Sequence, residues 1–149
     1  MNIKVEIDDR YREPEMILRT DKMTERLEKL MDSIQSLTGE TVKTLVGFKD
    51  GEAFLLKLED VSTVFTESGR VCARSGNDEY TLKSRLYELE ETLAGTDFLR
   101  VSNSEIVNFS KVKSLDLSRT GTIMLKFKTG ETTFVSRRYV EKIKQYFKL

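Results

Sequence analysis

Val46-Gly47-Phe48-Lys49-Asp50-Gly51-Glu52-Ala53-Phe54-Leu55-Leu56-Lys57-Leu58 sets an Asp-Gly pair between two apolar runs. Asp and Gly tolerate the positive φ angles that tight hairpin turns demand, so the stretch spells two antiparallel strands and their turn. The same spelling recurs downstream. Val64-Phe65-Thr66 passes through Glu67-Ser68-Gly69-Arg70 into Val71-Cys72-Ala73, and Ser75-Gly76-Asn77-Asp78 turns into Tyr80-Thr81-Leu82. Leu115 and Leu117 precede a turn at Arg119-Thr120-Gly121, after which Ile123, Leu125 and Phe127 alternate with Met124, Lys126 and Lys128. Thr129-Gly130 then turns into Thr133-Phe134-Val135. Short strands with a turn roughly every ten residues predict a mainly β fold, α+β overall.

Helical spacing interrupts this text twice. Leu82, Leu86, Leu89 and Leu93 share a face, closed by Gly95, and a last helix follows Ser136 with Tyr139, Val140, Ile143, Tyr146 and Phe147 on its apolar side. Lys142, Lys144 and Lys148 lie toward that helix's C-terminal end, where cations suit its dipole. Upstream, Ile3, Val5 and Ile7 alternate with polar residues as in a half-buried strand, and Met16-Ile17-Leu18 reads as a second strand. A helix follows, with Asp21 as its cap, Leu27, Leu30, Met31, Ile34 and Leu37 on one face, and Gly39 as its stop. The N-terminal segment thus reads as strand, strand, helix, packed against the rest of the chain.

Composition excludes much. Of 149 residues none is histidine, which removes the commonest general base and metal ligand. The single cysteine, Cys72, allows neither an intramolecular disulfide nor a thiolate zinc site, and its place between Val71 and Ala73 predicts a small core residue. The glycines occupy turns and form no phosphate-cradling motif. Acidic neighbours such as Asp8-Asp9 and Glu90-Glu91 read as solvated faces. No enzyme activity, cofactor or metal is expected. No apolar run spans a membrane and no signal peptide is visible, so a cytoplasmic location is expected. Net charge is zero, but residues 1–60 carry ten basic against fourteen acidic side chains, and residues 100–149 eleven basic against four acidic. A basic end attracts polyanions even in a neutral chain.

Two motifs sharpen the reading. Phe98-Leu99-Arg100-Val101-Ser102-Asn103-Ser104-Glu105-Ile106-Val107-Asn108 resembles the signature segment of LytTR domains, the LytR/AlgR-type DNA-binding family. Gly130-Glu131-Thr132-Thr133-Phe134-Val135-Ser136-Arg137-Arg138-Tyr139 resembles that family's closing hairpin and Ser-Arg-Arg helix start, and Leu82 to Leu93 resembles its helix before the signature. The resemblance covers residues 44–148. It implies elongated antiparallel β-sheets with short helices, and loops that enter successive major grooves of double-stranded DNA. It also implies direct-repeat promoter sites, often with two protomers on one DNA face, a homodimer on DNA. Most members carry an N-terminal receiver domain; about forty residues cannot hold one, so no phosphoacceptor aspartate is assigned. The chain is more similar to short stand-alone members, often encoded beside a small membrane protein that restrains the regulator. The expected division is residues 1–40 as a strand–helix subdomain and 41–149 as the DNA-binding domain.

The resemblance selects the candidate DNA-binding residues. Asn103 matches the loop position that reaches a base edge, and an Asn amide can grip adenine with two hydrogen bonds; its other reading is a turn residue. Arg138 matches the second arginine of the Ser-Arg-Arg start, able to fork onto guanine or phosphate. Arg137 is assigned a backbone contact, and Ser136 the helix cap. Two arginines at a helix start are unfavourable against the dipole without a nearby anion. Arg70 matches a second DNA-facing loop, although Glu67 beside it would repel phosphate. Arg100 could contact phosphate or pair with an acidic neighbour. Ser102 stands where many members have histidine, and its hydroxyl can donate to phosphate. Lys111 and Lys113 would add to the nonspecific attraction. Asn108 is read as structural, satisfying backbone groups at a strand end. The resulting expectation is a sequence-specific transcriptional regulator. The alternative is an interaction adaptor that has kept the fold and lost DNA binding, which would associate with DNA weakly and without salt dependence. For residues 1–39, a dimerisation arm is the alternative to a packed subdomain.

Overall fold

The hairpin spelling is realised strand by strand in the computed structural model, which describes residues 1–37 and 43–149. After a helix, α1 (Glu25–Leu37), come β1 (Thr44–Lys49), β2 (Glu52–Lys57), β3 (Val61–Glu67), β4 (Arg70–Ser75) and β5 (Asp78–Leu82). Then follow α2 (Leu86–Thr92), β6 (Phe98–Ser102), β7 (Glu105–Asn108), β8 (Val112–Asp116), β9 (Ile123–Phe127), β10 (Thr132–Val135) and α3 (Arg137–Phe147). The first seven strands form one sheet in the order β2-β1-β5-β4-β3-β7-β6, and the last three form a second, β10-β9-β8. Every pairing is antiparallel. The Asp50-Gly51 and Ser68-Gly69 turns both take positive φ, as their spelling requires.

Two cores result, and the β6–β7 hairpin separates them. Phe98 and Ile106 face a first core built with Leu86, Leu89 and Leu93 of the α2 region and Val61, Val64 and Ala73 of the large sheet. Val101 and Val107 face a second core, closed by Ile123, Leu125 and Phe127 of the small sheet, Val135 and Ile143. A hairpin buried on both faces must be apolar on both, which is why this segment lacks the usual alternation. Glu105 joins the sheets: its carboxylate accepts hydrogen bonds from the hydroxyls of Thr63 on β3 (2.7 Å) and Thr133 on β10 (2.6 Å). Arg74 adds a second tie, reaching Glu79 at 2.7 Å and Glu131 at 3.4 Å. Asn108 is buried and fully used, as its sequence context predicts. Its amide donates to the carbonyls of Val61 (2.8 Å) and Leu58 (3.3 Å), and its Oδ1 accepts from Ser110. Close approach makes Gly47 necessary, because a Cβ there would lie 2.7 Å from atoms of Leu56 and Tyr80.

Several expectations need correction. Residues 2–8 and 16–18 form no strand, and Ile3, Val5 and Ile7 are 87%, 81% and 93% exposed. Alternation prepares a segment for pairing but supplies no partner for its backbone groups. Helix α1 does form, but its N-terminal hydrogen bond comes from Thr24, whose Oγ1 accepts from the Leu27 N–H (3.3 Å), not from Asp21. The proposed stop at Gly39 lies outside the described residues. None of the described side chains in residues 1–37 is buried, so this segment does not share the domain's cores. Leu82 ends β5 instead of starting α2. Cys72 is not a core residue: Ala73 takes the core side of β4, and Cys72 lies half-buried on the opposite face, between Phe65 and Thr81.

Candidate nucleic-acid interface

The β6–β7 turn carries the signature asparagine. Ser102-Asn103-Ser104 is closed locally, with the Ser104 N–H donating to Ser102 Oγ at 3.2 Å. A register shift between Arg100 and Ser102 marks a bulge just before it. Arg100 holds the turn from beneath. Its Nε donates to the Ser102 carbonyl, one Nη to the Asn103 carbonyl and the other to Glu90 on α2, all at 2.7 Å. With its side chain 12% exposed, Arg100 is spent on these three acceptors. Of the two roles open to it from sequence, pairing with an acidic neighbour is the one observed.

The second motif arrives from the small sheet. The Ser136 N–H donates to the Val101 carbonyl (2.9 Å), pinning the end of β10 to β6 beside the turn. Helix α3 starts there and is anchored by the buried Ile143. Ser136 occupies the N-cap position, but its hydroxyl makes no capping bond; its backbone carbonyl accepts from the Tyr139 N–H (2.9 Å) instead. The first turn of α3 thus lacks a side-chain cap, in keeping with a site open to an anion. Arg137 is exposed and lies over the β8–β9 loop, its Nε 3.0 Å from where a Cβ on Gly121 would stand. Arg138 turns the other way: its Nη1 donates to Asn103 Oδ1 at 3.4 Å, and the Tyr139 hydroxyl donates to the same oxygen at 3.3 Å. Both motif residues are exposed.

Arg70 opens β4 at the tip of the β3–β4 hairpin, opposite Glu67 in the register. The Thr66 N–H donates to the Ser104 carbonyl (2.9 Å), so this hairpin tip and the Asn103 turn occupy the same end of the large sheet. The structure therefore brings Asn103, Ser102, Ser136 and Arg138 together, sets Arg137 at the start of α3 and Arg70 at the start of β4 on either side, and places Arg100 underneath. Sequence reasoning missed three participants. Tyr139 reads from sequence as part of its helix's apolar side, although its position next to Arg138 is a signal. Arg119 reads from sequence only as turn composition; its guanidinium lies 5.5 Å from the ring centre of Phe134 on the small sheet's open face. Glu90 was read as solvation, and nothing in the sequence pairs it with Arg100.

Among the described residues, no group of three His, Cys, Asp or Glu side chains could hold a metal ion, and no helix is long and apolar enough to cross a membrane. Two antiparallel sheets that display arginine-bearing loops and an open helix start at one end define a polyanion-binding class of β domain. The chain belongs to the LytTr DNA-binding domain family, whose profile matches residues 51–148. Two proteins of Staphylococcus aureus, strains MSSA476 and MW2, are each 32% identical over 145 residues, 97% of this chain and 97% of theirs. Both are described as uncharacterized HTH-type transcriptional regulators. A solved LytTr DNA-binding domain from Bacillus cereus shares the fold with a TM-score of 0.69 at 19% identity, covering 72% of this chain and 99% of that one. Helices α2 and α3 have five strands between them, so the described residues contain no helix-turn-helix.

Proposed function

We propose that this protein is a sequence-specific transcriptional regulator that reads direct-repeat promoter sites through loops in the major groove. Asn103 and Arg138 read base edges, and Arg137, Arg70 and Ser136 hold phosphates. Ser102 shapes the turn, and Arg100 positions it. Residues 41–149 act as the DNA-binding domain, and residues 1–40 carry regulation, through self-association or a membrane protein encoded nearby. The observation that supports this most is the meeting of Asn103 with Arg138. Two motifs 35 residues apart converge at one exposed point, and both end in groups suited to base edges. Base reading also accounts for two arginines at a helix start, where the dipole disfavours cations.

The test is selection from a randomised duplex pool at two salt concentrations, with wild type beside Asn103→Ala and Arg138→Ala. The wild type is expected to enrich a repeated motif. Each substitution should cost about 1–3 kcal/mol and relax preference at its own base position. A folded wild type that enriches nothing would overturn the reading and favour the adaptor.

A further inference from the structure

We propose that the first eight residues are one half of a two-fold dimer arm, pairing antiparallel with the same residues of a second copy of this chain, with the α1 helices packing beside them. Ile3, Val5 and Ile7 alternate with Lys4, Glu6 and Asp8 in a segment that forms no strand within the chain. The segment is self-complementary in one register. With Val5 opposite Val5 of the second copy, Ile3 faces Ile7 on the apolar side, and Lys4 faces Glu6 on the other. A slip of two residues in either direction sets Lys4 against Lys4 or Glu6 against Glu6, and a parallel in-register pairing does both. Like charges directly opposite are unfavourable and unlike charges favourable, so the sequence selects the register centred on Val5. That arrangement is isologous, as a two-fold interface requires.

Helix α1 points the same way independently. Within α1, Leu27, Leu30, Ile34 and Leu37 recur at spacings of three, four and three, the spacing of a coiled-coil seam, with Met31 beside it. None of Met23, Leu27, Leu30, Ile34 and Leu37 is buried. A 13-residue helix is marginal in water without packing, and so is a two-stranded ribbon. Each supplies what the other lacks.

The experiment is the solution mass of the full chain without DNA, so its outcome is independent of DNA reading. Wild type should give about twice 17.2 kDa. Val5→Glu and Val5→Lys should each be monomeric, since the symmetric centre then sets like charges together. An equal mixture of the two should recover the dimer. Lys4→Glu should dissociate it, and Lys4→Glu combined with Glu6→Lys should restore it. Thermal melting of the variants checks that the domain stays folded, since these positions lie outside both cores. A monomeric wild type, a dimer indifferent to Val5→Glu, or a mixture that stays monomeric would each overturn the proposal.

Discussion

Arg100 shows how one side chain shapes a candidate site from beneath it. Its three short hydrogen bonds satisfy two turn carbonyls and the Glu90 carboxylate. A lysine has the charge but not the planar fork, so it cannot reach all three acceptors. Arg100→Met should lower stability by about 1–3 kcal/mol, read from denaturant unfolding, because three charge-assisted hydrogen bonds are lost together and two turn carbonyls lose their donor. It should also weaken DNA binding by loosening the Asn103 turn, and Arg100→Lys should rescue little of either. The salt dependence of binding should stay unchanged in both variants. A slope reduced by about one, with stability intact, would instead mark Arg100 as a phosphate contact. Cys72 sits in the opposite setting: burial, then Glu79 and Glu67, raise its thiol pKa above the ordinary value.

At the scale of elements, α3 is a lever that delivers Arg138 to the β6–β7 turn. Its amphipathic face is docked through Ile143, fully buried against Val101, Val107 and Leu125. Ile143→Ala should cost about 2–5 kcal/mol as a cavity opens. Because the Ser136–Val101 hydrogen bond and this packing hold the helix start, specificity at the Arg138 position should fall with it. The experiment is unfolding in denaturant beside base-by-base binding at a temperature where the variant stays folded; unchanged discrimination would show that the β10 connection alone places Arg138. Elements of this kind were legible in the sequence, since Asp-Gly, Ser-Gly and Leu-spaced runs are local signals. Segments whose state depends on a partner were not. Residues 2–8 have a strand's period and no strand, and which of Cys72 and Ala73 faces the core could not be assigned before the register was known. The site was legible as two motifs through family resemblance. The Arg100–Glu90 pair and Tyr139's reach to Asn103 are contacts across elements, which no local pattern encodes.

For the whole molecule, zero net charge conceals a division of labour. The eleven basic residues of 100–149 outnumber the four acidic ones, whereas residues 1–60 lean acidic. The basic end supplies general attraction to DNA, and the cations placed at the interface add the phosphate contacts that salt weakens. With Arg70, Arg119 and Arg137 at or beside it, about three phosphate contacts per domain would give a log affinity against log salt slope of about −2.7. The two arginines of the helix start should then separate. Arg137→Ala should flatten the slope by about one while leaving base preference alone, because a phosphate contact releases a counterion and carries no sequence. Arg138→Ala should relax base preference by roughly tenfold to a hundredfold at one position, with a smaller change in slope. Fluorescence anisotropy on the selected site and on a single-base variant, each at four salt concentrations, measures both quantities at once. If the two substitutions changed slope and preference alike, the arginines would share one role, and Asn103 would be left as the sole reader of sequence at this end of the domain.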